Sequence, residues 1–81
     1  MTDTVLQQNV YAIHYTMKDI YTGKKIKSFT GREILSSIGY ANKFLIKNGY
    51  SPFDGVMYDY ELKVGSLTTY AVIKQMELYS Y

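Results

Sequence analysis

A small two-layer α+β domain of order β-β-α-β-β is expected: an antiparallel sheet of about four strands with one amphipathic helix, residues 31–48, packed on it. Three features point there. Several segments alternate apolar and polar residues with period two, as half-buried strands do. One central stretch instead repeats its apolar residues at helical spacing. Glycine-containing turn signals, Gly23 and Gly65-Ser66, each fall between two strand-like segments. At 81 residues the chain holds a single domain, 1–81.

The first strand is read from Val5 to Met17, where Tyr11, Ile13, Tyr15 and Met17 alternate with Val10, Ala12, His14 and Thr16. Both sets carry apolar character, which suits a central strand. Residues 19–24 supply turn chemistry, with Gly23 free to take a positive φ. Lys25 to Phe29 is the return strand, with Ile26 and Phe29 expected inward.

Thr30-Gly31-Arg32-Glu33 matches a capping box, in which the Thr hydroxyl and Glu carboxylate each satisfy an amide of the first turn. Ile34, Leu35, Ile38, Ala41 and Leu45 then share one arc at about 100° per residue. Gly49 is a natural stop, with Pro52 just beyond it. Gly39 interrupts this helix at a cost of roughly 1 kcal/mol relative to Ala. The rival organisation is a helix-turn-helix with Gly39 at the turn, the later strands as a wing, and Asn42, Lys43 and Lys47 facing a DNA groove.

Residues 50–55 read as a loop. Val56, Tyr58, Tyr60, Leu62 and Val64 then form one face of a strand, with Met57, Asp59, Glu61 and Lys63 on the other. After the turn at Gly65-Ser66 the last strand runs from Leu67 to Tyr79, with Tyr70, Val72, Met76 and Leu78 expected inward and Lys74 interrupting that face. One helix covers one sheet face, so a homodimer or another partner is a way to close the second.

Hydrophobic residues make up 47% of the chain, too many for a disordered one. The absence of cysteine excludes disulfides, thiolate nucleophiles and cysteine metal sites. No apolar run approaches the ~18 residues that span a bilayer, and residues 1–4 do not open a secretory signal. A complete cytoplasmic gene product without membrane association is expected.

Little here carries reaction chemistry. His14 is the sole histidine and has no carboxylate neighbour in sequence. Asp54, Asp59 and Glu61 lack the further ligands that a metal would need, and read as a solvated strand face. No phosphate-cradling glycine loop, dinucleotide turn or nucleophile elbow occurs. The expectation is therefore no enzymatic activity, no catalytic residue, no cofactor and no metal.

Charge is unevenly spread. Residues 18–49 carry seven basic groups against Asp19 and Glu33, a net of +5, whereas residues 50–81 carry a net of −2. Tyrosine occurs ten times and tryptophan not at all. Lys, Tyr and Ile share AT-rich codons, which accounts for much of this bias. Tyrosine also supplies rigid, amphipathic contact area at binding surfaces.

In size and composition the chain resembles small accessory proteins of AT-rich bacteriophages. The leading expectation is a non-enzymatic binding protein that inhibits a host macromolecule, in the host cytoplasm if the chain is viral, as in host takeover or counter-defence. Tyr21, Tyr40 and Tyr50 would be its anchors, and Lys43 and Lys47 would steer the partner. The alternative is an RNA- or DNA-binding regulator using Lys24, Lys25, Lys27, Arg32, Lys43 and Lys47, with phosphates neutralised and bases stacked on interleaved tyrosines. Host protein and nucleic acid are thus the two partner classes.

Overall fold

The computed structural model describes the backbone of residues 6–80 and the side chains of residues 9–76. Its elements are β1 (Leu6–Asp19), β2 (Lys25–Thr30), α1 (Ile38–Lys47), β3 (Ser51–Pro52), β4 (Tyr60–Val64) and β5 (Leu67–Ser80). The strands form one antiparallel sheet in the order β2-β1-β5-β4-β3. The chain is thus mainly β with a single helix among the described residues, one short strand more than expected.

β1 and β5 pair along their whole length, from Leu6↔Ser80 to Asp19↔Leu67. Fourteen residues at about 3.4 Å each make a ribbon of about 48 Å, which explains a molecule 60 Å long and only 22 Å across. β2 lines one edge of this ribbon from His14 to Lys18, and β4 lines the other from Leu67 to Ala71. The turns follow the glycines: Gly23 and Gly65 take φ of 71° and 60°, values open to a residue without Cβ.

α1 packs on the face that carries the odd-numbered residues of β1. Ile13, Tyr15, Ala71 and Leu45 form the buried cluster, with Leu35, Phe44, Tyr50, Tyr60 and Ile73 against it. Ile13 and Leu45 are the largest side chains fully removed from solvent.

The helix departs from its expected bounds. Residues 31–37 are not helical, and the Thr30–Glu33 capping box does not form. Thr30 ends β2 instead, and its hydroxyl lies 3.2 Å from His14 Nδ1. The chain stays against β1, where Gly31 donates to the Ile13 carbonyl and Leu35 and Tyr11 exchange both backbone hydrogen bonds. Those bonds use the peptide groups that a helix start would have needed. The working cap is Ser37, extended at φ −155°, whose Oγ accepts from the Tyr40 amide at 3.1 Å.

At the other end the expected stop is realised. Gly49 takes φ 93°, its amide donates to Ile46, and the Tyr50 amide donates to Leu45, each at 3.0 Å. These two bonds are a Schellman motif. Gly39 falls in the first turn of one uninterrupted helix, so the helix-turn-helix organisation is excluded. Ala41 and Leu45 of the predicted arc are buried, whereas Ile34 and Ile38 are exposed because the helix starts after one and at the other.

Two strand faces also differ from expectation. In β5 the helix-facing residues are Ala71 and Ile73, so Tyr70, Val72 and Met76 lie on the far face, and Lys74 interrupts nothing. The Leu78 side chain lies outside the described residues. The pattern from Val56 to Val64 is a strand only from Tyr60. Asp59 breaks it: its amide donates to Ala71 and its carbonyl accepts from Phe53. Tyr60 faces the helix and donates its hydroxyl to Asn42 Oδ1. Tyr58 instead stacks on Tyr70, on the opposite face, with ring centroids 4.6 Å apart. Ile26, expected inward, is exposed on the edge strand at the register shift beside Met17 and Lys18.

Candidate functional site

β2 is an edge strand and every one of its residues is exposed. Lys27 and Phe29 face the helix side, since they pair with Met17 and Tyr15. Phe29 stacks on Tyr15 at 5.2 Å, and Tyr50 meets the same tyrosine at 5.9 Å. Tyr15 is buried, while Phe29 remains 39% exposed. These three rings, with Thr30, Gly31, Arg32 and Glu33, line an open cleft of about 460 Å³.

Local structure explains each placement. Tyr50 follows the Gly49 cap and is held by its own amide bond to Leu45. Gly31 sits where a Cβ would lie 2.9 Å from Tyr15 Cε2, so any other residue would force the ring or the backbone to shift. Continuing the His14↔Thr30 register would set residue 33 opposite Tyr11, but Leu35 occupies that position. The two extra residues make an excursion, and it carries Arg32 and Glu33 to the cleft.

Burial, then the neighbouring Tyr50, then Glu33 push the Tyr15 hydroxyl up to about 12, so it stays protonated and is no base at neutral pH. Burial also raises Tyr50. The Lys27 ammonium lies 5.0 Å from the Phe29 ring centroid, a cation–π contact that leaves the charge at the cleft's edge. The cleft therefore offers flat apolar walls, a guanidinium, a nearby ammonium and one carboxylate.

The expected site residues divide among several places. Tyr50 and Arg32 meet in the cleft. Lys24, Lys25 and Lys27 are exposed on β2 and the turn before it. Tyr40 and Lys43 meet on the outer surface of α1, with the ammonium 5.8 Å from the ring centroid, and Lys47 is exposed in the helix's last turn. Tyr21 is 82% exposed at the β1–β2 turn, a separate element from either group. Sequence reasoning missed Tyr15 and Phe29 as site residues, although the alternation that puts them on one face was readable.

His14 touches the Thr30 hydroxyl at an exposed position, and no carboxylate orients its ring among the described residues. Those residues also hold no group of three or more His, Cys, Asp or Glu arranged to take a metal, and no helix long and apolar enough to cross a membrane. Compared with family models, curated proteins and solved structures, the chain finds no match.

Proposed function

We propose that this chain is a non-enzymatic binding protein whose ligand is a single-stranded nucleic acid, held along β2 and in the Tyr15–Phe29–Tyr50 cleft. The observation that carries this reading is the aromatic cleft at the end of an exposed strand whose Lys27 faces the cleft side. A lysine on the cleft side of an edge strand neutralises a phosphate, and aromatic rings beside it stack unpaired bases, which a duplex does not present. Arg32 lines the cleft, and a guanidinium there would hold a phosphate by two parallel hydrogen bonds. Lys27 would leave the Phe29 ring for a phosphate as a base takes its place. Lys43 and Lys47 lie on the helix, outside this path.

Fluorescence anisotropy with a labelled single-stranded oligonucleotide tests the reading. Affinity should exceed that for the duplex, fall linearly with salt on a log–log plot, and drop about tenfold or more in Phe29→Ala, the loss of one stacked base. Arg32→Gln should reduce the salt slope by about 0.7. Equal binding of duplex and single strand, or an unchanged Phe29→Ala, overturns it.

A second reading rests on α1. Tyr40 is 59% exposed, and Ile34, Ile38 and Ile46 are also open to solvent on or just before the helix. Apolar and tyrosine side chains beside Lys43 and Lys47 suit a protein partner, as a phage-type inhibitor of a host protein would need. Capture of one discrete protein from a bacterial lysate, retained after nuclease treatment and lost with Tyr40→Ala, favours this reading over the first.

A further inference from the structure

The sheet face away from α1 has a different composition. Across its strands run Ser28, Thr16, Tyr70 and Glu61 in one row, and Lys25, Lys18, Thr68 and Lys63 in the next. In the second row Lys25 lies across from Lys18, Lys18 from Thr68, and Thr68 from Lys63. Like charges set across neighbouring strands destabilise a sheet; Lys25 lies directly across from Lys18, and Lys18 and Lys63 flank one buried threonine, so the row calls for a counter-charge.

We propose that this row is an anion site for a phosphate group, separate from the aromatic cleft on the other face. Strands lie about 4.8 Å apart, so Lys18 and Lys63 flank Thr68 at a Cα separation of about 10 Å. That span lets two ammonium groups converge on one tetrahedral anion above the threonine. Lys18, Lys63, Thr68 and Tyr70 line a hollow of about 250 Å³ there, with Asp19, Ile20 and Gly23. Two acidic groups belong to the neighbourhood. Asp19 Oδ1 already accepts from the Tyr21 amide at 2.8 Å, and Glu61 lies beside Tyr70 in the adjacent row. The Lys18 ammonium rests 5.4 and 5.7 Å from the Tyr58 and Tyr70 ring centroids. Those stacked rings, with Phe53 edge-on to Tyr70 at 5.1 Å, form a wall that keeps it on this face.

The test titrates the whole protein with inorganic pyrophosphate, against sodium chloride at matched ionic strength, following backbone amide shifts and the thermal midpoint. Pyrophosphate should move the Lys18, Thr68 and Lys63 amides selectively and raise the midpoint by about 5 °C beyond the chloride control. Lys63→Gln should weaken pyrophosphate at least tenfold, and its midpoint in low-salt chloride should be no lower than the parent's, since one of the three like charges is gone. Phe29→Ala should leave the pyrophosphate response intact whatever it does to oligonucleotide binding, which separates the two sites. An oligonucleotide that displaces pyrophosphate identifies the phosphate as a nucleic-acid backbone; one that does not identifies a free phosphate ester. An equal midpoint rise in chloride, shifts spread over all lysines, or full affinity in Lys63→Gln overturns the proposal.

Discussion

The two faces of the β1–β5 ribbon are built from the same two strands one residue out of phase, yet they do opposite things. The face with Ile13, Tyr15, Ala71 and Ile73 is sealed by α1 and holds the buried cluster. The face with Thr16, Thr68, Tyr70 and Lys18 has no helix over it among the described residues and mixes lysines and threonines with small apolar and aromatic side chains. Because side chains alternate strictly, a shift of one residue in register would exchange the two sets and leave lysines under the helix. The largest buried side chains therefore lie on one face, while the other buries only the smaller Val10, Ala12, Thr16 and Thr68 and leaves its charged groups toward solvent. The aromatic cleft sits where the helix-covered face runs out, at β2.

This contrast can be broken most severely from the sealed side. Leu45→Ala should cost about 2–5 kcal/mol, because a fully buried leucine leaves a cavity when truncated, and in a domain this small that approaches the whole stability. Thr68→Val on the open face should change stability by less than about 1 kcal/mol, as the loss of one modest hydrogen-bonding group. Urea unfolding of both variants measures the difference. Equal losses would mean that the open face is also a core.

Gly31→Ala is the next largest effect. Its Cβ would meet the Tyr15 ring at 2.9 Å, so the strand or the ring must shift, at about 1–3 kcal/mol. Near-ultraviolet circular dichroism, which reads tyrosine packing, should change together with oligonucleotide affinity. A Gly49→Ala variant should lose about 1 kcal/mol through the positive φ alone, with the cleft signal retained.

The sealed face should also be the alkali-sensitive one. The Tyr15 hydroxyl has its ordinary value of 10.0 raised to about 12 in the folded chain. The native state thus holds its proton more tightly than the unfolded chain does, and this contribution is present below pH 10 and lost as pH rises toward 12. Tyr50 and Tyr60 are raised in the same direction. Tyrosinate absorbance should show late-titrating rings, and Tyr15→Phe should flatten the fall in stability above pH 10. The smallest effect is Tyr40→Ala, within about 0.5 kcal/mol of the parent on thermal unfolding, since the ring lies on the exposed helix surface.

Much of this architecture was legible in advance because it follows from local chemistry. Gly23, Gly49 and Gly65 mark a hairpin turn, a helix end and a second hairpin wherever the chain is read. The alternation of Tyr11 to Met17 means a strand. The alternation from Val56 to Val64 is as regular, and it misled: nothing local reveals that the Asp59 backbone will bond to Ala71 and Phe53 and turn Tyr58 to the far side of the sheet. The helix start failed for the same kind of reason. Thr30 and Glu33 have the right spacing for a cap, but Gly31 and Leu35 find strand partners on β1, and those bonds exist only once β1 is in place. For the site, Tyr50, Arg32 and the lysines of β2 could be named as types suited to binding. Their gathering around Tyr15 and Phe29 could not, since it depends on a two-residue excursion between two points of strand pairing.

What residues 1–81 settle without reference to the fold is therefore short-range: the middle of the long strands and of the helix, where the chain turns, and that seven of its nine basic groups precede residue 50. Which face of β5 meets the helix, where α1 begins, and which tyrosines share a cleft were settled by long-range pairing. Backbone hydrogen bonds between β1, β5 and the segment after β2 outweigh the local preferences of the residues they recruit. That register sets every side chain's face at once.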